Sequence, residues 1–311
     1  MPSLAAAKAS NSTFRLAYLP VAVFIGGTSG IGRAMVEAFA QYTKGNAHIV
    51  IVGRNKAAAE SILASLPTPS PPQAGWQHEF VPCDASLMKN IGASTDGLLK
   101  RIPKINFLVI SSGYCSILGR KDTEEGIDEQ LALRYYGRWK LISDLLPALR
   151  EANSAGEVSQ VMSVLDPVNG IPVPDLNDFG LKRKYSGVTA IRVTLTYMDM
   201  ALEEFALRDP EIAFTHITPG FVKTPMLDSK DWGIYSYLFK PLVWLAAISP
   251  AVCAEHMLFA LFDVERRGFI RRGAKGDDIG MKKYFGTPEG RKKLWEHTVQ
   301  EVDVEHRASK E

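Results

Sequence analysis

The run Gly26–Gly32, GGTSGIG, carries the sharpest chemical signal in the sequence. Read as Gly-x-x-x-Gly-x-Gly, it puts glycines at 26, 30 and 32, with Thr28, Ser29 and Ile31 between them. It follows an apolar stretch and opens a helical pattern. Glycines in that setting let the backbone turn tightly and approach a pyrophosphate, while the helix offers free N–H groups and the positive end of its dipole. A second polar station closes the next apolar run, which ends Val52-Gly53-Arg54-Asn55. An acid there would take a ribose 2′-hydroxyl. No carboxylate is present, and Arg54 can instead form a bidentate pair with a 2′-phosphate. Arg33, directly after the glycines, is a second cation near that spot. The expected ligand is therefore NADPH rather than NADH, held by Gly26, Thr28, Ser29, Gly30, Ile31, Gly32, Arg33, Arg54 and Asn55.

The elements that position these residues are short apolar runs alternating with helical patterns. Strands are expected at Val21–Ile25, His48–Val52, Glu79–Pro82, Phe107–Ser111, Val158–Leu165 and Ala213–Ile217. Helices are expected at Ala34–Gln41, Ala57–Leu66, Gln130–Leu149 and Tyr185–Leu207. Alternation of this kind means βαβ units and a parallel sheet covered on both faces, a doubly wound α/β Rossmann fold. Thr68–Gly75, TPSPPQAG, is a proline-rich surface loop. No composition break marks a second domain, so residues 1–311 are expected to form one unit. Within it, 226–248 would insert over the sheet edge and 274–311 would add a helical segment on the outside.

From about Val21 to about Gly268 the chain resembles the short-chain dehydrogenase/reductase family, on the glycine motif and on further motifs in register. The resemblance implies that Asp84 in Cys-Asp-Ala-Ser contacts the adenine. Ile110–Gly113, ISSG, matches the family's Asn-Asn-Ala-Gly with only the glycine kept, bringing Ser111 and Gly113 to the cofactor. Pro219-Gly220-Phe221-Val222-Lys223-Thr224 matches Pro-Gly-x-Val-x-Thr, so Pro219, Gly220, Val222 and Thr224 would hold the nicotinamide carboxamide and phosphate. The tail runs Thr287–Glu289 and Trp295–His297 are similar to those of fungal members.

The same resemblance shows where the usual Asn-Ser-Tyr-Lys chemistry breaks. Tyr185 matches the tyrosine, but the lysine position falls at Thr189. Arg134, in Arg-Tyr-Tyr-Gly, stands at the asparagine. Asp166 stands at the serine, with Ser163 three residues earlier and a one-residue slip open. Arg134, Asp166 and Tyr185 are thus the candidate catalytic residues. An aspartate and an arginine in one cleft can keep both charges. Carbonyl reduction needs a proton donor for the alkoxide, whereas reduction of an iminium ion does not. Asp166-Pro167-Val168 is similar to a segment of fungal indole-alkaloid reductases, some of which reduce an iminium and then shape a Diels–Alder cyclisation. The expectation is an NADPH-dependent reductase of fungal secondary metabolism acting on an imine or iminium in a bulky apolar substrate. The alternatives are a ketone reductase working through Tyr185 and a non-catalytic NADPH-binding protein.

Composition sets outer bounds. A net charge of +2 with no long basic block gives no reason to expect nucleic acid. Cys83, Cys115 and Cys253 are odd in number and far apart, so neither a metal site nor a disulfide framework is expected. No basic segment precedes a long apolar run, which points to the cytoplasm. Trp232–Ile248, WGIYSYLFKPLVWLAAI, is aromatic and apolar but broken by Lys240–Pro241. A spanning helix needs ~20 apolar residues, so this segment is expected to be a lid over the substrate. The two long helices offer a surface for a homo-oligomer.

Overall fold

The computed structural model describes residues 1–69, 76–228 and 246–304. Seven parallel strands form one sheet in the order β3-β2-β1-β4-β5-β6-β7. They are β1 (Val21–Ile25), β2 (His48–Gly53), β3 (His78–Pro82), β4 (Phe107–Ile110), β5 (Gln160–Val164), β6 (Ala213–Ile217) and β7 (Gly268–Arg272). A parallel sheet is covered on both faces, so its strands read as continuous apolar runs. VAVFI of β1 is buried at every position. Val21, Val23 and Ile25 enter one core, while Ala22 and Phe24 enter the other.

The first core lies under α4 (Met88–Leu99), α6 (Gly137–Ser154) and α7 (Gly187–Arg208). The second lies under α2 (Gly30–Tyr42), α3 (Lys56–Ser65) and α8 (Pro250–Leu261). Helix α1 (Leu4–Ser12) is tied to α8 by Asn11, whose Nδ2 donates to the Glu255 carbonyl at 2.9 Å. Before α6 come the short α5 (Glu129–Leu131) and a π-helical turn at Ala132–Tyr136. The last described helix, α9 (Pro288–Val302), is more than an outer appendage. It buries Leu294 and Val302 in the first core, and Trp295 packs edge-on against Trp139 and Phe205.

The six expected strands are present, with ends shifted by up to two residues. Helices α1, α4 and α8 and strand β7 lie outside those expectations, although α4 buries Met88, Ile91, Thr95 and Leu98 at helical spacing. The expected lid, Trp232–Ile248, falls mostly in 229–245, outside the described residues. Its last residue, Ile248, forms a parallel bridge with Val222. No described helix is long and apolar enough to cross a membrane. No group of three or more described His, Cys, Asp or Glu residues could hold a metal.

The strand order runs outward in both directions from the β1–β4 pair. In open α/β sheets the ligand crevice opens at that switch point, beyond the carboxyl ends of the strands. Every sequence-predicted site residue in the glycine motif and in Ser111–Gly113 lies there.

Candidate functional site

A cleft of about 410 Å³ opens at the switch point, within the range of small-molecule sites. Its floor is the glycine loop, with Gly26, Thr28, Ser29, Gly30, Ile31 and Gly32 all contributing. Gly26 has φ +84°, and a Cβ on it would lie 2.7 Å from the Ser112 amide nitrogen. A Cβ on Gly32 would collide with Ser111 Oγ and the Gly26 carbonyl oxygen. The loop can therefore be this tight only with glycine at these positions. Ser29 is the N-cap of α2 but makes no side-chain capping bond. The first-turn N–H groups of this helix are thus left for an anion. Glycine cradle and uncapped helix together fit a dinucleotide pyrophosphate.

Beyond the second strand the cleft is lined by Gly53, Arg54, Asn55 and Asp84. Asn55 caps α3, its Oδ1 accepting from the Ala58 amide at 3.0 Å. Arg54 is 74% exposed and its guanidinium lies 3.6 Å from Asp84 Oδ2. An exposed pair at that distance is worth roughly 0–1 kcal/mol, so the guanidinium can turn to a phosphate at little cost. Asp84 also accepts from the Ser86 amide and hydroxyl at 3.0 and 2.7 Å. Burial would raise this carboxyl, but the Ser86 bonds and the Arg54 charge outweigh it and hold it below the usual carboxylate range. Arg33 is turned to Glu37 on its own helix, with Nε 2.7 Å from the carboxylate, and is not among the residues lining the cleft.

The opposite wall is Ser111–Cys115, Leu133 and the segment Thr224–Met226. The Ser111 amide and hydroxyl both donate to the Ile25 carbonyl, at 2.9 and 3.1 Å. Of the Pro-Gly-x-Val-x-Thr stretch, Thr224 reaches the cleft, and a Cβ on Gly30 would lie 3.2 Å from its methyl. Pro219, Gly220 and Val222 serve behind it. The Pro219 carbonyl faces the Cys253 thiol at 3.7 Å, Gly220 turns the chain at φ +70°, and Val222 is buried.

The three candidate catalytic residues are not brought together as the sequence suggested, and none of them lines this cleft. Arg134 sits in the π-helical turn and is 5% exposed. Its guanidinium donates to Thr194 Oγ1 (3.1 Å), the Ile191 carbonyl (3.0 Å) and Cys115 Sγ (3.0 Å). It makes no ion pair with Asp166, so the expected aspartate–arginine couple is corrected: Arg134 ties α7 to the cleft wall. Asp166 follows β5 and accepts from the Val168 amide at 2.9 Å and Asn169 Nδ2 at 2.7 Å. Among the described residues it has no cationic partner. Tyr185 precedes α7 instead of starting it, because Ser186 is the cap, its Oγ accepting from the Thr189 amide. The Tyr185 hydroxyl accepts from Gln130 Nε2 at 3.0 Å. Burial pushes the phenol up to about 12; the Gln130 bond opposes this and the Asp128 charge adds to it.

A profile of the family described as short chain dehydrogenase matches residues 20–173. Oxidoreductase AN1596 of Emericella nidulans is 35% identical over 244 residues, covering 78% of this chain and 71% of that protein. The chain belongs to the short-chain dehydrogenase family. Oxidoreductase andH of Emericella variicolor is 33% identical over 230 residues, covering 73% of this chain but only 65% of its own length. A solved 3-ketoacyl-(acyl-carrier-protein) reductase from Brucella melitensis, complexed with NADH, superposes over 84% of this chain and 99% of its own. Its TM-score is 0.58 at 19% identity, a likeness of fold.

Against the family pattern, Thr189 stands in the first turn of α7 where a lysine is usual. Arg192, one turn on, donates to the Asn169 carbonyl at 3.2 Å and does not replace it. Ser163 is fully buried and receives Arg138 Nη1 at 2.6 Å. It is therefore no displaced catalytic serine. Three residues of this region are not among the expected site residues: Cys115, Gln130 and Arg138. The spacing of Arg134 and Arg138, one turn apart in an apolar helix, was the available signal, since an unpaired buried arginine is rare.

Proposed function

We propose that the chain is an NADPH-dependent reductase whose hydride acceptor is already positive, the carbon of an iminium ion or of an imine that arrives protonated, in a bulky apolar substrate. The observation that carries this is the state of Tyr185. Its hydroxyl is held by Gln130, burial pushes it up to about 12, and no lysine stands four residues on to ease its proton away. Such a phenol is a poor acid near neutral pH. A cationic acceptor needs no proton, because hydride addition yields a neutral amine. The cofactor would supply that hydride; Gly26, Gly30, Gly32 and the α2 N-terminus would hold its pyrophosphate and Arg54 its 2′-phosphate. Asp166, just past the end of β5, outside the nucleotide cleft and with no cation beside it among the described residues, is the carboxylate that would stabilise the positive acceptor. Whether a cyclisation follows reduction depends on the substrate.

The test is NADPH consumption with a panel of cyclic imines and matched ketones. Turnover confined to the imines supports the proposal, and turnover confined to ketones rejects it. A second reading, a nucleotide-binding protein without turnover, is favoured by Thr189 and predicts no consumption with either set.

NADPH should bind at least about tenfold more tightly than NADH, and Arg54→Ala should remove most of that preference, as expected for one charge-assisted hydrogen-bonded pair. Titration calorimetry measures both. Equal dissociation constants in the unaltered protein would count against Arg54 as the phosphate ligand.

A further inference from the structure

We propose that Arg138 is a positioning residue: its guanidinium fills the fork where β4 and β5 part and fixes the spacing between the nucleotide wall and Asp166. The two strands pair from Phe107 and Gln160 as far as Ile110 and Ser163. Past that point β4 follows β1, with the Ser111 and Ser112 amides both donating to the Ile25 carbonyl. Strand β5 follows β6 instead, with the Leu165 amide donating to the Ile217 carbonyl at 2.9 Å. The Ser112 and Val164 carbonyls are thereby left beyond the ladder, and a buried carbonyl without a donor is costly. Arg138, 1% exposed in the first turn of α6, serves both through Nη2, with Val164 at 3.1 Å. Its Nη1 donates to the Ile110 carbonyl at 3.1 Å and to Ser163 Oγ at 2.6 Å.

The fifth N–H is used as well. In the π-helical turn the Gly137 amide bonds to the Ala132 carbonyl, and Arg138 Nε reaches the Leu133 carbonyl at 3.4 Å. Every donor of the guanidinium thus has an acceptor. Among the described residues none of those acceptors is a carboxylate, and burial, then the Arg134 charge, push Arg138 down to about 9. A buried cation facing neutral groups costs stability, and an apolar side chain would fill the gap at lower cost. What an apolar filler cannot do is grip both strand ends. A planar group with donors in fixed directions holds them at a set separation.

Each strand end carries one half of the site. The β4 end continues into Ser111–Cys115, the wall of the nucleotide cleft. Arg134, one turn before Arg138, ties Cys115 of that wall to α7. The β5 end continues into Asp166, two residues past Val164. One rigid fork therefore sets how far the carboxylate stands from the nucleotide. The catalytic meaning of this spacing rests on the reductase reading; the spacing itself does not, so it is tested first without nucleotide.

In the full chain, amide hydrogen exchange read by peptide mass should quicken in Arg138→Lys at both Ser112–Cys115 and Asp166–Val168, at least about tenfold each, with β1 and β2 unchanged. A merely structural loss would speed exchange in all strands alike. Ser163→Ala removes one acceptor, keeps the arginine, and should quicken the same two segments by a smaller factor. With a cyclic imine or ketone that the unaltered protein reduces, Arg138→Lys should lower kcat about hundredfold, as a misplacement of about 1 Å does, while NADPH affinity by calorimetry stays within about threefold. Quickening in one segment alone, or in neither, overturns the proposal; if Arg138→Lys does not fold, Ser163→Ala gives that answer. An unchanged kcat in a variant whose two segments have loosened overturns it too. A protein that reduces neither set of substrates rejects the reductase reading, and exchange alone then decides the fork.

Discussion

Asp166→Asn should lower turnover of a cyclic imine by about 10²–10³-fold while leaving NADPH binding intact, the usual effect of losing one well-placed electrostatic group. The substitution keeps shape and removes charge. The carboxylate accepts from Val168 N and Asn169 Nδ2, so its place after β5 is fixed by its own loop. An asparagine can keep the amide contact through its Oδ1, so the loop stays in place and the loss reads as charge. Tyr185→Phe should change the same rate far less, because no alkoxide awaits a proton. Steady-state kinetics on both variants, with NADPH affinity measured alongside, separate the readings. A crippling Tyr185→Phe with a mild Asp166→Asn would refute the iminium mechanism and restore carbonyl reduction.

Arg271→Met should destabilise the protein by about 3–5 kcal/mol, the cost of leaving a buried carboxylate without its cation. Arg271 is 1% exposed on the side chain, and its Nε contacts both oxygens of Asp199 at 3.2 and 3.1 Å. Asp199 also holds His216 Nδ1 at 2.7 Å. The remaining guanidinium nitrogens serve the carbonyls of Gly280 and Lys282, at 2.9 and 2.8 Å, and that of Pro167. One side chain thus ties β7 to α7, to the tail and to the loop that carries Asp166. Urea unfolding reads the loss as a lowered midpoint at constant slope. The double variant Arg271→Met, Asp199→Leu should recover part of it, because the orphaned charge goes too. A single-variant loss below about 1 kcal/mol would show that the network does not hold the sheet edge.

How far the sequence reached follows from the range of the forces involved. The glycine loop is a local matter: backbone turn, close approach and helix start all fall within Gly26–Gly32, so the residues alone determine it, and the structure keeps it intact. The parallel sheet was legible for a similar reason, since strands buried on both faces must be apolar throughout, as VAVFI is. Arg54 was legible as the cation closing the second strand and Asp84 through the family resemblance, and both line the cleft. The pairing of Arg134 was not. Whether a guanidinium meets a carboxylate or a thiol depends on which way a helix turns its face, and the π-helical turn at Ala132–Tyr136 shifts that face without a mark in the sequence. Tyr185 sits at its expected number, yet the tertiary structure decides that its hydroxyl faces Gln130, because Ser186 caps α7 and leaves the tyrosine outside the helix. The cation cluster behind Cys115 likewise exists only in three dimensions: Arg134 and Arg138 come from one helix, Cys115 from the loop after β4, and the burial that makes their charges matter is supplied by β4, β5 and α7 together.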